Sequence, residues 1–370
     1  MTLLIFVYLI AGLVLLVIGA EVLVRGASRL AAIFGISPLI IGLTVVAFGT
    51  SAPETAVSVQ ASLGGSGDLA VGNVIGSNIA NVLLILGLSA LVAPLIVSRQ
   101  LIRLDVPIMI GAGVLTFALA WDGTLDRLDG ALLFASVVGY CVLLIVLSRR
   151  SKRPAGEPDE FDEAFALKEK PGRFAWLINL LLVVVGLVLL IGGSNLLVEG
   201  AVSLARALGL SELIIGLTVI AVGTSLPELA TSMLAVFKGE RDIAVGNIVG
   251  SSIFNLLLVL GAAALVAPSG LSISPNALAF DFPVMMAVFL ACLPIFFSGY
   301  QISRWEGLLF FFYYLAYTAY LVLFATGRPV IALFVHAMAW YVLPLTALTL
   351  VVLAIRAWRR QRGETLSQQP

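Results

Sequence analysis

The segment GLTVVAFGTSAPE, residues 42–54, returns 174 residues further along the chain as GLTVIAVGTSLPE, residues 216–228. Each copy places a threonine, a serine, a proline and a glutamate inside a long apolar run. A carboxylate at membrane depth is energetically expensive and is usually functional. Two such carboxylates at matching positions of an internal duplication therefore predict the two halves of one cation site.

The composition is that of an integral membrane protein. Of 370 residues, 61% are hydrophobic and 11% are charged, and the mean hydropathy is +1.11. A soluble domain has about 25% charged residues. The formal net charge is zero, which gives no bias toward nucleic acid, and the two cysteines lie in apolar runs, so neither a disulfide framework nor a cysteine metal cluster is expected. These features predict an all-α membrane protein without cofactors.

Eleven apolar runs are long enough to approach or exceed the ~20 residues that cross a bilayer. They lie near 3–24, 37–63, 70–94, 104–121, 128–148, 174–198, 212–237, 244–267, 279–298, 306–326 and 330–355. The first run continues into Glu21 and Arg25 and is interpreted as a retained span, not a removed signal peptide. The predicted organisation is a five-helix repeat at 1–148, a polar cytoplasmic linker at 149–173, a second repeat at 174–327, and an extra helix with a cytoplasmic tail at 328–370.

The positions of lysine and arginine predict the orientation of the chain. With the amino terminus outside and eleven spans, only Arg127, Arg206 and Arg328 face outward, and the other eighteen of the 21 basic residues face the cytoplasm. Basic residues concentrate on the cytoplasmic side of membrane proteins. We therefore expect a multi-pass cell-membrane protein with its amino terminus outside and its carboxyl terminus in the cytoplasm.

The duplication extends beyond the opening segment. DLAVGNVIGSNIAN at 68–81 matches DIAVGNIVGSSIFN at 242–255 with the same offset. Five spans separate equivalent points, and five is odd, so the second repeat is predicted to be inverted relative to the first. Inverted repeats with glycine- and proline-interrupted helices are typical of secondary transporters with a site near the midplane.

The residues of the first repeated segment favour a broken helix that offers oxygen ligands. Pro53 cannot donate a hydrogen bond to the carbonyl of Gly49, so a kink or an unwound turn is expected there. Thr50 and Glu54 are four residues apart and share one helix face. Carbonyl, hydroxyl and carboxylate oxygens suit hard cations such as Ca²⁺ and Na⁺, whereas zinc or copper would call for histidine or cysteine.

The second repeated segment predicts a polar stripe that faces this kink. Asparagine, serine and asparagine recur every four residues, beside glycines whose spacing lets helices approach closely; the polar residues are Asn73, Ser77 and Asn81 in the first copy and Asn247, Ser251 and Asn255 in the second. Asn73 and Asn247 are either ligands or interhelical packing partners. Two ionised glutamates carry a charge that one Ca²⁺ or two Na⁺ would neutralise, which is a physical basis for antiport.

The paired motifs Gly-Thr-Ser-x-Pro-Glu and Gly-Asn-x-x-Gly-Ser-x-x-x-Asn resemble the α-repeats of the sodium/calcium exchangers, in the cation/calcium exchanger superfamily. The resemblance covers about residues 1–327 and implies a central Ca²⁺ site flanked by Na⁺ sites. The implied side-chain ligands are Glu54, Glu228, Thr50, Ser51, Ser77, Asn81, Thr224, Ser225, Ser251 and Asn255, with main-chain carbonyls of Ala47, Thr50, Ala221 and Thr224. Some relatives, including potassium-dependent ones, carry aspartate at the position of Asn255, so the asparagine here argues against potassium co-transport. The eleventh span exceeds the five plus five spans that are usual in the family.

Several alternatives compete with Ca²⁺/Na⁺ antiport. A Ca²⁺/H⁺ exchanger would use the same two glutamates as titrating groups, although that branch usually shows Gly-Asn-Ala-x-Glu at the kink. A channel would conduct without coupling to a counter-ion, and an intramembrane hydrolase using Ser51 or Ser225 would need a neighbouring base. The chain has no Gly-x-x-x-x-Gly-Lys loop, so an ATP-driven pump is not expected. Two smaller expectations are an ion pair between Glu21 and Arg25 and helix caps at Asp105 and Asp281.

Overall fold

The computed structural model describes residues 2–150, 174–209, 219, 221–297, 299–327 and 330–346. Most of the predicted linker, the beginning of the predicted seventh span and the end of the eleventh lie outside these residues. Within the described ranges the chain forms helices α1 (Thr2–Phe34), α2 (Pro38–Thr50), α3 (Ala52–Leu63), α4 (Gly67–Val92), α5 (Leu101–Asp122), α6 (Arg127–Arg150), α7 (Ala175–Ala207), α8 (Leu226–Phe237), α9 (Arg241–Val266), α10 (Ala277–Phe297), α11 (Arg304–Ala325) and α12 (Val330–Thr346).

The predicted all-α membrane architecture is confirmed. In the described part of the chain, eight helices are long and apolar enough to cross a membrane, and the bent pair α2–α3 makes a ninth. These nine coincide with nine of the eleven predicted spans. The other two, the seventh and the eleventh, are described only in part, as α8 and α12.

The predicted kink lies between α2 and α3. The two helices meet at Ser51, which leaves helical geometry at φ −78° and ψ 7°, and their axes differ by 43°. Pro53 occupies the first turn of α3, where its missing N–H breaks no bond within that helix. The second half repeats this arrangement, because a turn at Thr224–Ser225 separates a short helical segment, Ala221–Gly223, from α8. The duplicated sequence therefore gives two broken spans.

The helices that carry the polar stripes lie at the centre of the protein. In their apolar stretches 83% of the residues of α4 and of α9 are buried, against 22% for α7. The glycines of α9 allow close packing, because a Cβ on Gly246 would lie 2.8 Å from the Leu39 carbonyl oxygen of α2, and one on Gly250 would lie 2.8 Å from Leu43 Cα. The counterparts of these α2 residues in the second repeat, 213–221, lie almost wholly outside the described part of the chain.

Helices α1 and α7 run antiparallel with their backbones in contact. Glycine recurs every seventh residue on both, at Gly12, Gly19 and Gly26 and at Gly186, Gly193 and Gly200. A Cβ on Gly12 would lie 2.6 Å from the Leu197 nitrogen, and one on Gly193 would lie 2.7 Å from the Leu16 nitrogen. Small residues allow such close approach in lipid, where packing replaces the hydrophobic effect as the driving force.

Two short sheets join the halves of the chain. Strand β1 (Leu95–Ile96) pairs antiparallel with β4 (Gln301–Ile302), and β2 (Thr124–Leu125) pairs antiparallel with β3 (Leu271–Ser272). Each sheet therefore takes one strand from each half.

The predicted helix caps at Asp105 and Asp281 are wrong. Helices α5 and α10 begin one turn earlier than expected, at Leu101 and Ala277, so both aspartates lie inside a continuous helix and cap nothing. Their carboxylates instead accept hydrogen bonds from tyrosines of the following helix, Asp105 from Tyr140 at 3.2 Å and Asp281 from Tyr317 at 3.0 Å.

The predicted ion pair of α1 is confirmed and has a further partner. Glu21 Oε1 lies 3.1 Å from Arg25 Nη2. The same oxygen also accepts a hydrogen bond from Lys238 Nζ, at the end of α8. The sequence offered no signal for this second contact, which joins α1 to the other half of the chain.

Candidate functional site

The two glutamates of the repeated segments lie in equivalent places at the two breaks. Glu54 is in the first turn of α3 and Glu228 is in the first turn of α8, and both are completely buried, at 0% exposure. The amino-terminal end of a helix carries a partial positive charge that favours a nearby carboxylate. Each break therefore provides a favourable local position for a buried acid.

A serine of the opposite half contacts each glutamate. Ser51 Oγ donates to Glu228 Oε1 at 3.4 Å, and Ser225 Oγ donates to Glu54 Oε1 at 3.1 Å. Ser77, on α4, donates to the same oxygen of Glu54 at 3.4 Å. The structure thus brings the two repeated segments together into one site, as the duplication predicts.

The two threonines make a second pair of hydrogen bonds between the halves. Thr50 Oγ1 donates to Asn247 Oδ1 at 3.1 Å and lies 3.3 Å from Ser251 Oγ. Thr224 Oγ1 donates to Asn73 Oδ1 at 3.4 Å. Thr50 Oγ1 also lies 3.4 Å from the Ala47 carbonyl oxygen. The threonine hydroxyls therefore link each broken span to the central helix of the other repeat.

The structure favours a positioning role for Asn73 and Asn247, the pair left open between packing and ligation. Asn73 Nδ2 donates to Ser58 Oγ at 3.1 Å and to the Glu54 carbonyl at 3.5 Å. Asn247 Nδ2 makes the equivalent bonds to Ser232 Oγ at 3.0 Å and to the Glu228 carbonyl at 3.5 Å. Both amides are thus fully used in holding the helices. Ser58 and Ser232 were not predicted from the sequence, although each lies four residues after the glutamate of its repeat.

Other polar atoms of the site are buried without a hydrogen-bond partner. They are Glu54 Oε2, Glu228 Oε2, and the amide oxygen and nitrogen of Asn81 and Asn255. All four residues are at most 1% exposed. Buried polar atoms are nearly always paired, so these unpaired atoms need a physical explanation. Oxygen atoms of this kind are the ligands that hard cations take.

The predicted carbonyl ligands lie at or just before the two breaks. The Ala47 carbonyl accepts a hydrogen bond from the Ser51 N–H at 3.0 Å, in addition to its contact with Thr50. Ala221 begins the short helical segment before the second break, and Thr224 lies in the turn that follows it.

Two asparagine substitutions are expected to have different effects. We expect N73A to lower the melting temperature of the ion-free protein, because it leaves the hydroxyl of the buried Ser58 without its partner, at a cost of about 1–3 kcal/mol. We expect N81A to leave that temperature almost unchanged and to weaken Ca²⁺-dependent stabilisation, because its amide has no partner to lose. Thermal unfolding of both variants, with and without Ca²⁺, checks this contrast. Equal loss of ion-free stability would contradict it.

Comparison with known proteins gives consistent matches across both halves. The family model described as sodium/calcium exchanger protein matches residues 4–146 and 178–323. The inner membrane protein YrbG of Escherichia coli is 41% identical over 284 residues, which cover 76% of this chain and 85% of that protein. The sodium/calcium exchanger MaX1 of Methanosarcina acetivorans is 33% identical over 342 residues, covering 84% of this chain and 97% of that protein.

A solved structure has the same fold. The sodium-calcium exchanger NCX_Mj, soaked with zero Na⁺ and Ca²⁺, superposes with a TM-score of 0.71 at 30% sequence identity. The match covers 85% of this chain and 98% of that one.

Proposed function

This chain belongs to the family of sodium/calcium exchanger proteins, and from that premise we propose that it exchanges Ca²⁺ for Na⁺ across the membrane at the site between its two broken spans. The observation that carries the proposal is the pair of buried glutamates, each held by a serine of the opposite half. The family and its structural neighbours are transporters and not enzymes, so the hydrolase interpretation of Ser51 and Ser225 is wrong.

The proposed ligands can neutralise and coordinate either cation. Two ionised carboxylates carry two negative charges, which balance one Ca²⁺ or two Na⁺. Ca²⁺ takes six to eight oxygen ligands, and the surrounding oxygens come from Thr50, Ser51, Ser77, Asn81, Thr224, Ser225, Ser251 and Asn255. Because both cations would use the same carboxylates, binding of one would displace the other, as antiport requires.

Alternating access would come from movement of α1 and α7 against the broken spans. Helix α1 packs along α8, and Glu21 binds Lys238 at the end of that helix. Among the described residues, α7 makes no comparable packing against α3. This difference supports a state that is closed where α8 ends and open where α3 ends. With the predicted orientation, the closed side is cytoplasmic and the open side is extracellular.

Radiocalcium uptake into proteoliposomes tests the counter-ion. Vesicles loaded with Na⁺ are diluted into Na⁺-free buffer or into buffer with equal Na⁺. We expect uptake only under the outward Na⁺ gradient, because downhill Na⁺ would drive Ca²⁺ through a shared site. Uptake that ignores Na⁺ and follows an imposed pH gradient would instead identify Ca²⁺/H⁺ exchange, and Ca²⁺ flux without any counter-ion would identify a channel.

A further inference from the structure

Each proline of the broken spans removes the usual partner of one main-chain carbonyl. Pro53 and Pro227 have no N–H, so the carbonyls of Gly49 and Gly223 lose the bond that would come from four residues ahead. Both glycines are buried. A buried carbonyl without a donor is costly, so each of these groups needs another partner.

A side chain of α7 supplies the donor in the second half. Ser194 Oγ donates to the Gly223 carbonyl oxygen at 2.7 Å, and Ser194 is only 3% exposed. The residue before it, Gly193, is one of the glycines in backbone contact with α1. Two consecutive residues of α7 therefore hold α1 and the second break at the same level of the helix.

The first half has no equivalent donor on α1. The glycine series on α1 and α7 keep the offset of 174 residues, which makes residue 20 the counterpart of residue 194. Residue 20 is an alanine, 1% exposed, and cannot donate. Gly49 is covered instead by Leu187 of α7, whose Cδ1 would lie 2.5 Å from an added Cβ. The two halves thus differ at the point where a long helix meets the break.

We propose that Ser194 is a positioning residue of the transport cycle, whose hydroxyl fastens α7 to the second break and stabilises the state observed here over the opposite-facing state. The proposal rests on the proposed exchange function and its alternating access. If α7 slides along the second break, the bond to Gly223 breaks and a buried carbonyl beside Thr224 loses its donor. The ion site is thereby coupled to the position of α7.

Three variants test this role, S194A, S194T and A20S. Purified proteins are reconstituted, and the half-saturating Ca²⁺ concentration is measured separately on each face. S194A is expected to shift the ratio of the two facing states by roughly 5- to 150-fold. The half-saturating Ca²⁺ concentration then rises on the face that is open here and falls on the opposite face. The reason is that the apparent affinity on each face is proportional to the fraction of protein that is open to that face. S194T keeps the hydroxyl and is expected to behave as wild type.

The matched change in the first half adds a donor where none exists. A20S is expected to stabilise the opposite-facing state and to shift the two faces in the same direction as S194A. An S194A variant that changes neither face, or both faces equally, would overturn the proposal. An S194T variant that behaves like S194A would also overturn it. So would an A20S variant that shifts the half-saturating Ca²⁺ concentrations of the two faces in the reverse direction.

A distance measurement separates failure of this proposal from failure of the proposed function. Leu63, at the end of α3, and Leu208, just after α7, are exposed, and spin labels at L63C and L208C report the separation of these helices. Cys141 and Cys292 are replaced by alanine in every protein of the set. S194A is expected to change the distance distribution and S194T to preserve it, whether or not ions are transported. An unchanged distance distribution in S194A would refute the role of Ser194. If the distribution changes in S194A but wild type carries no Ca²⁺ flux, only the exchange function is refuted.

Discussion

We expect E54Q to abolish Ca²⁺ transport while the protein remains folded. The substitution keeps the size of the side chain but removes one of the two negative charges of the proposed site. Removing one partner of a buried charge interaction costs about 3–5 kcal/mol, which corresponds to a loss of Ca²⁺ affinity of about 150- to 4,000-fold. Radiocalcium exchange in proteoliposomes measures the first effect, and equilibrium Ca²⁺ binding measures the second.

The stability of E54Q separates a lost ligand from a lost fold. A buried carboxylate is costly in the absence of a cation, so E54Q is expected to melt in ion-free buffer at a temperature no lower than wild type. Its melting temperature should no longer rise with Ca²⁺, because a ligand stabilises a protein only when it binds the native state. The matched control is E199Q, the same change at an exposed glutamate of α7, which should retain transport. Wild-type transport by E54Q would refute the site.

The second large effect is expected from a single methyl group between α1 and α7. In G193A the new Cβ would lie 2.7 Å from the Leu16 nitrogen and 2.9 Å from the Gly12 carbonyl oxygen, so the two backbones must separate. Overpacking of this kind typically costs about 1–3 kcal/mol. We expect a lower melting temperature and, because the long helices can no longer move as a closely packed pair, loss of most exchange activity.

The neighbouring residue provides the control for G193A. An added Cβ on Gly192 would meet no described atom within 4 Å beyond the backbone of its own helical turns and its two chain neighbours. Both changes replace glycine by alanine inside the same helix, which by itself favours the helix by up to about 1 kcal/mol. G192A should therefore be as stable as wild type or more stable, with unchanged exchange. If G192A and G193A behave alike in thermal unfolding and in exchange, the close contact between α1 and α7 is not the reason for glycine at position 193.

The sequence predicted the parts of the site that depend on local chemistry. Pro53 and Pro227 indicated the breaks because the missing N–H acts within one turn of helix. The four-residue spacing from Asn73 to Asn81 indicated a polar face because helical periodicity is local as well. The repetition of both segments identified the two glutamates as a pair.

Contacts between the halves could not be predicted in the same way. Whether Ser51 reaches Glu228, or Ser194 reaches Gly223, depends on the register and depth of helices that are distant in sequence. The aspartates preceding x-Pro were misinterpreted as caps because the additional turns at Leu101–Asp105 and Ala277–Asp281 carry no clear sequence signal. Likewise, Lys238 could be assigned to Glu21 only once α8 was placed beside α1.

The backbone contact between α1 and α7 has a consequence for the efficiency of the exchanger. Because the two helices are in backbone contact at their glycines, a displacement that separates α1 from α8 would also displace α7 relative to α3. A conformation with both entrances open, through which ions would run down their gradients unproductively, is thereby disfavoured by packing alone. The glycine series would in this way keep the leak small and hold the ratio of ions exchanged per cycle fixed.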